Sequence, residues 1–193
     1  MAQQITLCCA QKIRLGADRT PALPRVRRPF FAHPTSHLLL WEQEAHARLL
    51  DIPCIPVGER GRPMQGGDLQ DALNAAMDLG NRPAALILEV PHREIGGEAT
   101  PWEEVRELRR LCDEQGVHMH MDGARLLEIL PWYEATHGVG AKEVAALFDS
   151  VYVSFYKGLG GMTGAMLLGE AAFVEEARVW LRRFGGNLYT ALP

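Results

Sequence analysis

The second half of this 193-residue chain alternates strand-like and helix-like runs, and that alternation limits the fold more tightly than any other feature. AALILEV (84–90) is an unbroken apolar run of strand length. PWEEVRELRRLCDEQG (101–116) follows with helical spacing. Thr100 is placed to cap it, Pro101 to open its first turn, Glu103 to complete a capping box and Gly116 to end it. VHMHMD (117–122) is a strand again, 142–148 a short helix, SVYVSFY (150–156) a strand, 165–168 another strand, and 171–184 an amphipathic helix. Strands separated by helices require an α/β domain with a mostly parallel sheet, because parallel neighbours need a long crossover. The first half is less regular. Residues 1 to about 14 read as a helix and 16–28 as an exposed loop; 33–50 starts in a turn and becomes helical by Leu39. A short strand is expected over 52–57, and a helix over 68–78 with Leu69, Leu73 and Met77 on one face.

In such a sheet, ligands bind beyond the carboxyl ends of the strands. Three exits stand out: 89–92, 122–125 and 156–161. Asp122 ends an apolar strand and precedes Gly123; it reads either as a turn-forming residue or as a buried carboxylate holding a positive charge of a ligand. Lys157 leads a glycine-rich turn. Its neighbours Phe155, Tyr156, Leu159 and Met162 would desolvate its amine and lower its pKa. The glycines would let backbone approach a bulky ligand. A phosphate-binding P-loop does not fit, since there the lysine follows the glycines. A dinucleotide G-x-G-x-x-G fails at Thr163. A nucleophilic amine paired with a carboxylate is what pyridoxal 5'-phosphate (PLP) needs: a lysine to form a Schiff base and an acid to keep the pyridine nitrogen protonated.

VHMHMDGARL and the later SFYKGLGGMTGAMLLG resemble the PLP-dependent threonine aldolase and β-eliminating lyase family of fold type I, with its H-x-D-G-A-R and K-G-L-G patterns. HPTSHLLLWE resembles the family's A-H-x-x-x-x-E segment, ALILEVPHREIGG its L-E-N-T-H-N segment, and RRFGGN the start of its R-K-x-x-G-G-G region. Only 16–28 matches weakly. The resemblance implies a mostly parallel sheet flanked by helices, like the large PLP-binding domain of these enzymes but incomplete. It also implies cleavage of β-hydroxy-α-amino acids to glycine and an aldehyde, and a homo-oligomer, dimer or tetramer, for the complete protein. The roles it implies are specific. Lys157 carries the cofactor, Asp122 pairs with the pyridinium nitrogen, and His37 stacks on the ring and takes part in proton transfer. Arg125 grips the substrate carboxylate, Glu42 supports His37 or a water at the site, and His92 lies near the substrate hydroxyl. Val90 and Pro91 depart from the family's Asn-Thr, Arg93 onward continues differently, and Tyr156 stands where a serine is common. MAQQ resembles the inside of the family's S-G-T-M-A phosphate segment. The chain is therefore expected to be a single partial large domain over 1–193, without the C-terminal small domain.

Two other classes compete. One is a non-catalytic remnant of the same fold. The other is a metal hydrolase, since His118, His120 and Asp122 share one strand face, although a metal set would need a further ligand where Gly123 stands. His118 reads as a packed or half-exposed strand histidine and His120 as structural. His33, His46 and His137 read as surface residues. The net charge of -4 argues against a nucleic-acid partner, and RVRRPFF (25–31) reads as a solvated loop. No run approaches the roughly 18 apolar residues of a membrane span. MAQQITLCCAQK does not read as a signal peptide, and the four cysteines form no C-x-x-C pair, which points to reduced thiols and a cytoplasmic setting.

Overall fold

The computed structural model describes residues 28–186. The expected helix near the start, the 16–27 loop, most of the RVRR cluster, Cys8, Cys9 and the last residue of RRFGGN lie outside them. In chain order the elements are β1 (Phe30–Ala32), α1 (His37–Trp41), α2 (Ala45–Arg48), β2 (Cys54–Pro56), α3 (Gly66–Asp78) and β3 (Ala85–Glu89). A single 3-10 turn (Arg93–Ile95) precedes α4 (Trp102–Gln115), β4 (His118–Gly123), α5 (Leu126–His137), α6 (Ala141–Ala146), β5 (Ser150–Ser154), β6 (Ala165–Gly169) and α7 (Ala171–Arg183).

The six strands form one sheet in the order β2-β1-β3-β4-β5-β6. The first five are parallel and β6 runs antiparallel to β5. This is the α/β architecture the alternation requires. From β1 the chain moves outward to β2, then returns past β1 to lay down β3, β4 and β5 on the other side. The winding direction reverses between β1 and β3, and such a reversal opens a crevice at the carboxyl ends.

Side-chain alternation assigns the two faces. Phe31, Leu86, Leu88, Met119, Met121, Val151 and Val153 point to one side and pack on Leu69 and Leu73 of α3, Val105 and Leu108 of α4, Tyr133 of α5 and Val144 of α6. Phe30, Ala32, Ala85 and Ile87 point to the other and pack on Leu38, Leu50 and Ile52. Each fully buried side chain of this kind contributes about 1.5–3 kcal/mol. Farther along β4, that second face carries His118, His120 and Asp122 in place of apolar residues.

Several expectations need correction. The 33–50 run is two short helices, broken where Gln43 and Glu44 take positive φ angles of 50° and 57°. The strand Phe30–Ala32 and the helix Leu126–His137 carry no clear signal in the sequence. The first has only three residues, too few to show a period, and the second contains Pro131, which reads as a breaker. Helix α4 is capped at Pro101, not Thr100; Thr100 is buried, and its carbonyl accepts the Tyr133 hydroxyl. His33 and His46 are buried rather than exposed. His46 Nδ1 donates to the Ile52 carbonyl at 2.8 Å, and His137 is packed against Trp132.

Candidate active site

The ends of β1, β3, β4 and β5 enclose a cavity of about 640 Å³, its open mouth included. Of the six residues expected at a site, His37, Glu42, Asp122, Arg125 and Lys157 line it together. Glu89, Pro91, Arg93, Ala124, Tyr152 and Tyr156 complete the wall.

Asp122 is the penultimate residue of β4, in register between Glu89 on β3 and Tyr152 on β5. Its carboxylate accepts the Ala124 N–H at 3.1 Å. Burial, with the nearby Glu89 charge, pushes its pKa up to about 6; the Ala124 N–H, Lys157 and His37 pull against that shift. The charged form is thus held at a cost that a cation in the cavity would relieve. Gly123 follows for a packing reason: a Cβ there would lie 2.8 Å from the Tyr152 carbonyl oxygen and 3.1 Å from Met121 Sδ.

His37 opens α1. Its backbone N–H donates to Glu89 Oε2 at 3.0 Å, and its Nε2 lies 3.1 Å from Glu42 Oε1. That hydrogen bond raises the imidazole pKa; burial opposes it, and the charges of Glu42, Asp122 and Glu89 add to the rise. Glu89 also accepts the Arg93 N–H at 3.1 Å through its other oxygen. One buried carboxylate therefore ties the segment after β1 to the segment after β3. The sequence marks Glu89 as a strand exit but gives no sign of this bracing role, which depends on two amides 52 and 4 residues away.

Lys157 stands three residues past the end of β5, half-buried, its Nζ 5.7 Å from the centre of the Tyr156 ring. It makes no ion pair among the described residues. The expected apolar shell is absent: Leu159 and Met162 are exposed. The glycines bend the loop onto its own strand. Gly160 has a φ of 65°, and the Gly161 N–H donates to the Phe155 carbonyl at 2.7 Å, where a Cβ would clash at 2.8 Å.

The structure does not bring His92 into this wall. Its ring is buried 4.5 Å from that of His33, in a chain of hydrogen bonds. His33 Nε2 meets the Glu59 carbonyl at 2.8 Å and must donate to it, so the neutral ring's Nδ1 accepts from Thr35 Oγ1 at 2.9 Å. His92 Nε2 lies 3.2 Å from the Thr35 carbonyl and 3.0 Å from Thr35 Oγ1, and donates in turn. Burial lowers the pKa of both rings, which suits this neutral arrangement.

His118 and His120 both approach Ser150 Oγ, at 3.2 and 2.8 Å. Burial pushes His120 down to about 3. Among the described residues no three His, Cys, Asp or Glu side chains converge as a metal set.

PLP requires an amine and an acid at one cavity, and Lys157 and Asp122 leave neighbouring strands into this one. Tyr152 adds a buried hydroxyl in the wall, close to Tyr156 and Ser154 but in hydrogen-bonding geometry with neither. The residues present therefore fit such a group.

The sequence profile of the family described as Beta-eliminating lyase matches residues 21–191. Aldolase vrtJ of Penicillium aethiopicum is 35% identical over 162 residues, which cover 81% of this chain and 39% of that protein. The low-specificity L-threonine aldolase of Candida albicans is 33% identical over 161 residues, 81% of this chain and 41% of that one. Among solved structures, a protein of Exiguobacterium sp. 255-15, provisionally assigned as an aromatic amino acid beta-eliminating lyase/threonine aldolase, is similar with a TM-score of 0.83. Its identity is 40%, over 98% of this chain and 48% of that one. The chain thus spans less than half the length of these relatives.

Proposed function

We propose, from the premise that this chain belongs to the beta-eliminating lyase family, that its cavity binds PLP and serves an aldolase acting on β-hydroxy-α-amino acids. The threonine aldolase relative supplies the substrate class. The observation that carries the reading is the convergence of Lys157 and Asp122, from the exits of adjacent strands, on one cavity.

When bound, PLP supplies an electron sink for the pair of electrons left by Cα–Cβ cleavage. The chain's own residues supply the rest. Lys157 would hold the cofactor through its amine. Asp122 would hold its carboxylate charge against a protonated ring nitrogen, which would relieve the cost of burying it. Arg125 would bind the α-carboxylate through its fork and so orient the substrate in the cavity. His37 lies over the cavity with Nε2 on Glu42, which keeps a proton available there. His92 stays buried on Thr35 outside the cavity wall, so His37 is the imidazole left for acid-base work at the substrate. General acid-base help of this kind is typically worth ~10²–10⁴-fold. A homo-oligomer and a cytoplasmic setting belong to the same reading, the first from the family resemblance and the second from the free thiols of Cys54 and Cys112. Among the described residues no helix is long and apolar enough to cross a membrane.

Titration of the purified chain with PLP tests the proposal. A visible Schiff-base band is expected in the wild type and is lost in Lys157→Ala. A band that survives in Lys157→Ala, or none in the wild type, refutes it. Release of glycine and acetaldehyde from threonine is the next assay.

A further inference from the structure

Two guanidinium groups line the cavity, and neither is closed off by an acid. Arg125 has only Glu128 near it, with Nε 3.7 Å from Oε2. Arg93 has its Nε 3.5 Å from Glu94 Oε1. The terminal nitrogens of both have no acceptor among the described residues. Several guanidinium groups outside the cavity are closed by acids. Arg62 forms a two-pronged bond to Asp68 at 2.7 and 2.8 Å, Arg109 pairs with Asp113 and Asp149, and Arg110 pairs with Glu107 and Glu114. Of the acids that line the cavity, Glu42 is engaged by His37, Glu89 by two backbone amides and Asp122 by the Ala124 N–H.

Arg93 is also held in place. Its backbone N–H is fixed on Glu89. Its Cζ lies 5.2 Å from the centre of the Trp41 ring, and Trp41 Nε1 donates at 2.9 Å to the same Glu94 oxygen that faces Arg93 Nε. Trp41 stands four residues after His37 on α1, so one helix face supplies both the cavity's imidazole and the platform under Arg93. A planar fork stacked on an indole, with its outer edge open, is a preorganised site for a carboxylate or phosphate.

We infer that Arg93 is a second anion clamp, and that the amino acid bound here carries an acidic side chain, its distal carboxylate on Arg93 and its α-carboxylate on Arg125. This rests on the proposed reading of the cavity. The same fork chemistry would also suit the phosphate of the cofactor, and the experiment separates the two.

The unloaded chain is titrated calorimetrically with succinate, propionate and inorganic phosphate, and with PLP by absorbance, as wild type, Arg93→Gln and Trp41→Phe. Succinate is expected to bind about tenfold more tightly than propionate, the ratio equivalent to ~1.4 kcal/mol. Arg93→Gln reduces that ratio to less than about twofold and leaves propionate and PLP affinity within about twofold, because only the bidentate contact is lost. Trp41→Phe, which loses the indole N–H to Glu94, reduces the ratio by about threefold. Equal binding of succinate and propionate by the wild type overturns the inference. So does a larger loss of PLP or phosphate affinity than of succinate affinity in Arg93→Gln, which would assign Arg93 to the phosphate. An Arg93-dependent preference for succinate without any PLP band supports the clamp and refutes the cofactor reading.

Discussion

Replacing Asp122 with Asn should make the unloaded protein more stable while removing its hold on the cofactor. The Asp122 pKa rises from 3.8 to about 6 because the carboxylate is buried beside Glu89. That rise corresponds to ~3 kcal/mol between the two protonation states. Below about pH 3 the group is protonated in both folded and unfolded chains and contributes little. As the pH rises toward 6 the unfolded chain ionises first, and above that the folded chain carries the full cost. Asn at this position keeps an acceptor for the Ala124 N–H, now 3.1 Å from Oδ1, and carries no charge. Urea unfolding at about pH 4.5 and pH 7.5 is the assay. The stability gain of Asp122→Asn over wild type is expected to grow by about 2 kcal/mol between those two values. Saturating PLP should reverse the order, since only the aspartate gains a cationic partner. A gain that does not change with pH, or an Asn variant less stable at both values, refutes the account of Asp122 as a charge held at a cost.

Two further outcomes follow from the same contacts. Glu42→Gln removes the hydrogen bond that does most to raise the His37 pKa, so the His37 titration followed by NMR should move to lower pH. The part of the stability that the wild-type pair contributes is present below the usual histidine range and fades as pH rises through the raised value, and Glu42→Gln should flatten that slope. Gly123→Ala forces a Cβ to 2.8 Å from the Tyr152 carbonyl oxygen and should cost about 1–3 kcal/mol in urea unfolding through overpacking of β4 against β5.

The sequence alone determined the sheet's parallel core. Apolar runs of strand length, such as 84–90, separated by a well-marked helix such as 101–116, leave few other architectures open. It also determined that the chemistry sits at strand exits, because Asp122 and Lys157 each end an apolar run and ligands collect at such ends. Those are local facts, carried by a few adjacent residues. What it did not determine were the contacts between distant segments. Only the tertiary structure decided that Glu89 would brace the amides of His37 and Arg93, that His33 and His92 would be buried on Thr35, and that Trp41 would lie under Arg93. A carboxylate or an imidazole looks the same in sequence whether solvated or enclosed. Its partners, and therefore its pKa and role, are set by which strands become neighbours and where the winding of the sheet turns back.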